Sequence, residues 1–233
     1  MPALIAKLRV LAYFFIAKSL LLIVANYGSY FPPDFHADFL LGRRSYFSGA
    51  YAWAFYVHLV AGPLSLAAAL ALMSSRVQRL RAVHRWLGRA LVVLVLTALA
   101  PSGLWMARYA AGGWAAAAGF ATLAVGTACC AAMGWSCARK RKFATHRQWM
   151  TRCFLLLSST AVLRFVGAVS ELADAEWTYR WSAWGSWLIP LAIYEGWRLF
   201  IGGVARDEQQ RSASFARGVE RPMFPVPVEA DRV

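Results

Sequence analysis

Apolar residues in this chain do not alternate with polar ones; they gather into blocks about twenty residues long. The blocks cover roughly residues 10–30, 51–73, 88–107, 114–137, 152–170 and 182–203. A helix needs about 20 mostly apolar residues to cross ~30 Å of hydrocarbon. The pattern therefore predicts an all-α integral membrane protein with six transmembrane helices. The connections are too short to hold a soluble domain, so residues 1–203 form one transmembrane domain. Residues 204–233 are polar and end in RPMFPVPVEADRV, which predicts a mobile tail. Lys18 interrupts the first block and no small-residue cleavage site follows it, so that block is expected to remain as a helix.

Composition agrees. The chain is 60% hydrophobic and 15% charged, against about 25% charged in soluble domains. The net charge of +14 raises the question of nucleic acid, and its placement answers it. Arg76, Arg79, Arg81, Arg85 and Arg89 crowd the connection between the second and third blocks, with no acid among them. Arg139, Lys140, Arg141, Lys142, Arg147 and Arg152 crowd the one between the fourth and fifth. The other connections balance base with acid: Arg43 and Arg44 against Asp34 and Asp38, and Arg180 against Glu171, Asp174 and Glu176. Loops rich in Lys and Arg stay cytoplasmic, which puts both termini inside. The basic charge is then expected to set topology and to meet anionic lipid head groups, with no nucleic-acid partner. Cys129, Cys130, Cys137 and Cys153 form no CxxC pair and are expected to be free, buried thiols.

One phrase occurs twice. Residues 82–93 read AVHRWLGRALVV and residues 144–155 read ATHRQWMTRCFL. Each opens a helix at the basic rim. The core is therefore expected to be two repeated hairpins, about 51–107 and 114–170, forming a four-helix core with the first and last helices at its edge. The fourth block is dominated by small residues, which let helix backbones approach closely. Gly62-Pro63 and Pro101-Ser102-Gly103 should kink their helices.

Ionisable residues inside membrane spans are functional candidates. Lys18 and Glu195 lie at equal estimated depth, roughly 12 Å from the inner edge at ~1.5 Å per residue, and are expected to form a buried ion pair. His58 and Arg164 share a level in the outer half. His84 and His146 share the inner rim, beside Arg89 and Arg152. Two neutral imidazoles there are a donor set for a metal or a haem iron; the plainer alternative is a pair of interfacial histidines beside lipid-binding arginines.

His58 with Gly62-Pro63, then HRWLGR, a small-rich helix, HRQWMTR and Arg164 in LRF resembles the bacterial membrane proteins of domain-of-unknown-function family 2306, over roughly residues 45–170. That resemblance implies a bacterial inner-membrane protein and brings no established activity. It also implies a distant likeness to the four-helix cytochromes that hold haem b, with His58, His84, His146, Arg89, Arg152 and Arg164 as candidate cofactor residues. Those cytochromes hold haem between histidines inside the bundle, whereas only His58 lies well inside here, with Met106 as a shallower candidate ligand.

No Walker loop, HExxH, nucleophile elbow or GxGxxG follows from the sequence, and no catalytic residues are assigned. An enzyme of soluble substrates is not expected. The leading expectation is a haem-associated or electron-transfer membrane protein. A small transporter, or a scaffold or assembly factor without cofactor, is the alternative.

Overall fold

The computed structural model describes residues 2–37, 39–172 and 178–219. The chain is all-α, and no strand occurs among the described residues. Helix α1 spans Pro2–Ala25 and ends in a 3-10 turn, Asn26–Tyr30. The others are α2 (Gly49–Met73), the short α3 (Ser75–Arg79), α4 (Arg81–Leu94), α5 (Ala100–Ala107), α6 (Gly113–Arg139), α7 (Phe143–Leu157), α8 (Ser159–Leu172) and α9 (Thr178–Val219). A π-helical turn, Val95–Leu99, joins α4 to α5, so these make one continuous crossing. Two compact units divide the chain, residues 1–191 and 192–233.

Five helical stretches are long and apolar enough to cross a membrane: Val10–Tyr30, Gly49–Met73, Arg81–Ala107, Gly113–Arg139 and Phe143–Gly167. They match the first five sequence blocks. The sixth block, 182–203, is helical within α9 but is not among the five. Its tryptophans, Ser182, Ser186, Glu195 and Arg198 dilute the apolar run that the other blocks maintain. Helix α9 also continues to Val219 through residues expected to belong to a tail; residues 220–233 lie outside the described ones.

Helix α2, the α4–α5 crossing, α6 and α7 pack on one another, and α1 rests on α2 and α8. This is the expected four-helix core with the first helix at its edge. Leu66, Leu91, Val95, Ala131, Cys153 and Ala161 are buried where these helices meet. Phe14, Leu21, Trp53, Val93, Val125 and Phe165 point outward and exposed, which is the surface hydrocarbon requires. The last helix docks by its first turns. Trp184 Nε1 donates to the Ala115 carbonyl at 2.9 Å, and a Cβ on Gly119 would stand 3.1 Å from the Ala183 carbonyl oxygen.

Two prolines interrupt the core, and the first break is repaired by a polar side chain. Pro63 has no N–H, so the Leu59 carbonyl one turn earlier loses its helical donor. The Tyr27 hydroxyl donates to that carbonyl from the 3-10 turn after α1. Pro101 follows the π-turn, and Ser102 Oγ donates to the Ala98 carbonyl at 2.6 Å. Freed backbone groups inside a membrane persist only when such partners exist. Tyr27→Phe is therefore expected to destabilise the protein by about 1–2 kcal/mol, the cost of an unsatisfied buried acceptor. Thermal unfolding in detergent, against the wild-type protein, reads this out.

The connection from residue 31 to residue 48 folds into a cap. Tyr30, Leu40, Tyr51 and Phe55 are buried beneath it, with Phe35, Tyr46, Phe47, Met106 and Tyr109 packed around them. Arg43 crosses this cap. Its Nε donates to the Phe39 carbonyl at 2.6 Å. Its Nη1 donates to the hydroxyls of Tyr46 and Tyr51, both at 3.2 Å, and to the Tyr109 carbonyl at 3.1 Å.

Candidate functional site

The candidate residues fall into separate places. His58 sits on α2 with Nδ1 3.2 Å from Ser102 Oγ. The Ser102 hydroxyl proton is already directed to the Ala98 carbonyl, so His58 Nδ1 is the donor in this contact. His58 also hydrogen-bonds the Leu99 carbonyl in the last residue of the π-turn. The ring fills the space a Gly103 side chain would need: a Cβ there would meet His58 Cε1 at 3.1 Å. His58 thus ties α2 to Ser102 and the Leu99 carbonyl, on either side of Pro101.

His84 and His146 both lie at the basic rim, roughly 24 Å from His58 along α2 at ~1.5 Å per residue, although α4 and α7 do not pack directly on each other. Both begin helices, α4 and α7, and their imidazoles lie within electrostatic range of each other. His146 Nδ1 is 2.8 Å from the Gly134 carbonyl on α6. A carbonyl only accepts, so Nδ1 carries the proton and Nε2 keeps its lone pair. Donation of one ring nitrogen to a backbone carbonyl is the arrangement that orients metal-binding histidines. Gly134 permits the close approach, since a Cβ there would stand 2.5 Å from Met150 Sδ.

The first copy has diverged. The carbonyl matching Gly134 in the repeat is that of Leu72, and Gln78 Nε2 donates to it at 3.1 Å. His84 is therefore left without that partner, and its Nδ1 is buried with no hydrogen bond among the described residues. An unpaired buried nitrogen beside a second imidazole is a costly arrangement unless a ligand completes it. No group of three or more His, Cys, Asp or Glu gathers as a metal cluster among the described residues.

The arginines flank this pair on the outside. Arg85, Arg89 and Arg147 are exposed, and Arg152 is half-buried. Arg89 stacks over Trp86 at 5.3 Å and Arg152 over Trp149 at 4.7 Å. The spacing Trp-x-x-Arg occurs in both copies, a signal the sequence carries and that reading for histidine misses. Arg164 on α8 is exposed, and its charge reaches Tyr27. Lys18 is exposed. Glu195 forms an ion pair with Arg198 at 2.9 Å on its own helix. Cys130, Cys137 and Cys153 are buried and outside any disulfide among the described residues, whereas Cys129 is exposed. Arg43, which the sequence shows only as a loop base, makes four hydrogen bonds at the opposite rim.

A family model described as "Predicted membrane protein (DUF2306)" matches residues 55–197. No curated protein and no solved structure matches the chain.

Proposed function

Because the chain belongs to the DUF2306 family of predicted membrane proteins, and because its two repeat-related histidines converge on one rim, we propose that the protein holds a redox metal between His84 and His146. The metal is a transition ion, carried bare or as haem iron. The observation that carries this reading is the buried, unpartnered Nδ1 of His84 beside His146, whose own Nδ1 is fixed by the Gly134 carbonyl. Each imidazole offers one open lone pair, and neutral imidazole is the commonest protein ligand for such metals. Electron transfer at the membrane surface is the activity this site serves.

The test is metal content and optical absorption of detergent-purified protein from haem-replete, metal-replete cells. Wild type is expected to carry close to one metal per chain, and His84→Ala and His146→Ala to lose at least ten-fold of it, in line with the loss of a direct ligand. His58→Ala is expected to keep it. Sharp reduced haem bands assign the metal to haem; metal without those bands assigns a bare ion. Retention of metal in both rim variants, or none in wild type, sinks the proposal.

The same reading places the protein in a bacterial inner membrane with the basic rim cytoplasmic, since Lys and Arg cluster on that side of the spans. Reporter fusions in the connection near residue 141 should show cytoplasmic activity, and fusions near residue 110 should show the opposite.

A further inference from the structure

Helix α4 presents a second face that His84 does not use. Ala82, Val83, Trp86, Leu87 and Ala90 line one open groove of about 560 Å³. Their spacing, i, i+4 and i+8 with i+1 and i+5, puts them on a single stripe. Trp86 is 70% exposed along it and Val83 47%. When His84 is aligned with His146, the matching positions of α7 are Ala144, Thr145, Gln148, Trp149 and Arg152. The stripe is apolar in the first copy and largely polar in the second.

The groove runs roughly 12 Å along the helix at ~1.5 Å per residue, close to the ~15 Å depth of one hydrocarbon leaflet. Exposed Arg76, Arg79, Arg81 and Arg85 lie in α3 and the first turn of α4, at the end of the helix where the groove begins, with no acid between residues 74 and 89. Arg89 closes one flank, stacked on Trp86. An apolar channel open to lipid, with a cluster of cations at its interfacial end, is complementary to an anionic amphiphile. We propose that this groove seats one acyl chain of an anionic phospholipid whose phosphate is held by Arg79, Arg81 and Arg85. The site lies on a different face of α4 from His84, so it stands or falls independently of the metal site.

The experiment is native mass spectrometry of the full chain, released from membranes holding equal amounts of phosphatidylglycerol and phosphatidylcholine. Wild type is expected to retain one phosphatidylglycerol in preference to phosphatidylcholine. Ala82→Trp and Ala90→Trp fill the groove from exposed positions and should reduce that retention about ten-fold, with unfolding temperature unchanged. Arg81→Gln and Arg85→Gln should each reduce it roughly five-fold. Ala144→Trp and Arg147→Gln, at matching places in the second copy, should leave it as in wild type. Equal retention of the two lipids, or wild-type retention in Ala90→Trp, overturns the proposal. So does an equal loss in the second-copy variants, which would make the arginines a diffuse basic surface.

Discussion

Arg43→Ala is expected to destabilise the protein by about 3 kcal/mol. Hydrogen bonds from a charged donor contribute about 1.5–3 kcal/mol each, and removing the donor strands its acceptors. Arg43 serves four: the Phe39 and Tyr109 carbonyls and the Tyr46 and Tyr51 hydroxyls. Hydroxyls can turn to other partners, but the two carbonyls cannot, so the net loss stays near the cost of one or two bonds. The guanidinium also lies 4.5 Å over the Phe39 ring. Because Tyr109 follows α5, the same side chain ties the cap to the end of the third crossing. Its neighbour Arg44 is exposed and meets only the Phe35 ring, at 5.8 Å, among the contacts described. Arg44→Ala should cost about 0.5 kcal/mol. Thermal unfolding of both variants in one detergent decides the matter; equal shifts would show that Arg43 does not pin the cap.

Gly103→Leu should be comparably damaging, by about 2–3 kcal/mol, through overpacking rather than loss. A Cβ at this position would stand 3.1 Å from His58 Cε1 and 3.4 Å from its Nδ1. The ring cannot retreat without leaving Ser102 and the Leu99 carbonyl. Inserted methylenes in a packed core typically cost 1–3 kcal/mol, and here a hydrogen bond goes with them. His58→Ala removes the obstacle, so the double variant His58→Ala/Gly103→Leu should be less destabilised than the two single costs added together. Such coupling is expected of residues in contact. Additive costs would mean that His58 does not occupy the Gly103 space.

The five apolar helices were legible because hydrocarbon thickness imposes a length that sequence blocks display directly. The sixth block was less so: α9 is rich in tryptophan and continues as a helix to Val219, past the point where apolarity ends. Pro63 announced a break, yet nothing local names Tyr27 as the group that repairs it. His58 and Ser102 are 44 residues apart, and their meeting depends on how two crossings pack. His58, a candidate ligand on sequence grounds, is therefore engaged as a structural donor. The rim pair was legible as a repeated His-Arg phrase, but its asymmetry was not. That asymmetry arises because Gln78 takes the Leu72 carbonyl in one copy while His146 takes Gly134 in the other. Arg43 was hidden among loop charges, although the run of aromatics from Tyr27 to Tyr56 was a cue to a packed cap.

The pairing of His84 with His146 is tested most directly by electron paramagnetic resonance of the Cu(II)-loaded protein, since imidazole suits copper and its nitrogens split the signal. Wild type should show splitting from two equivalent imidazole nitrogens. His84→Ala and His146→Ala should each show one, with copper bound far more weakly. The same spectrum in wild type and in both variants would contradict a shared site and leave the two histidines as separate residues of the basic rim.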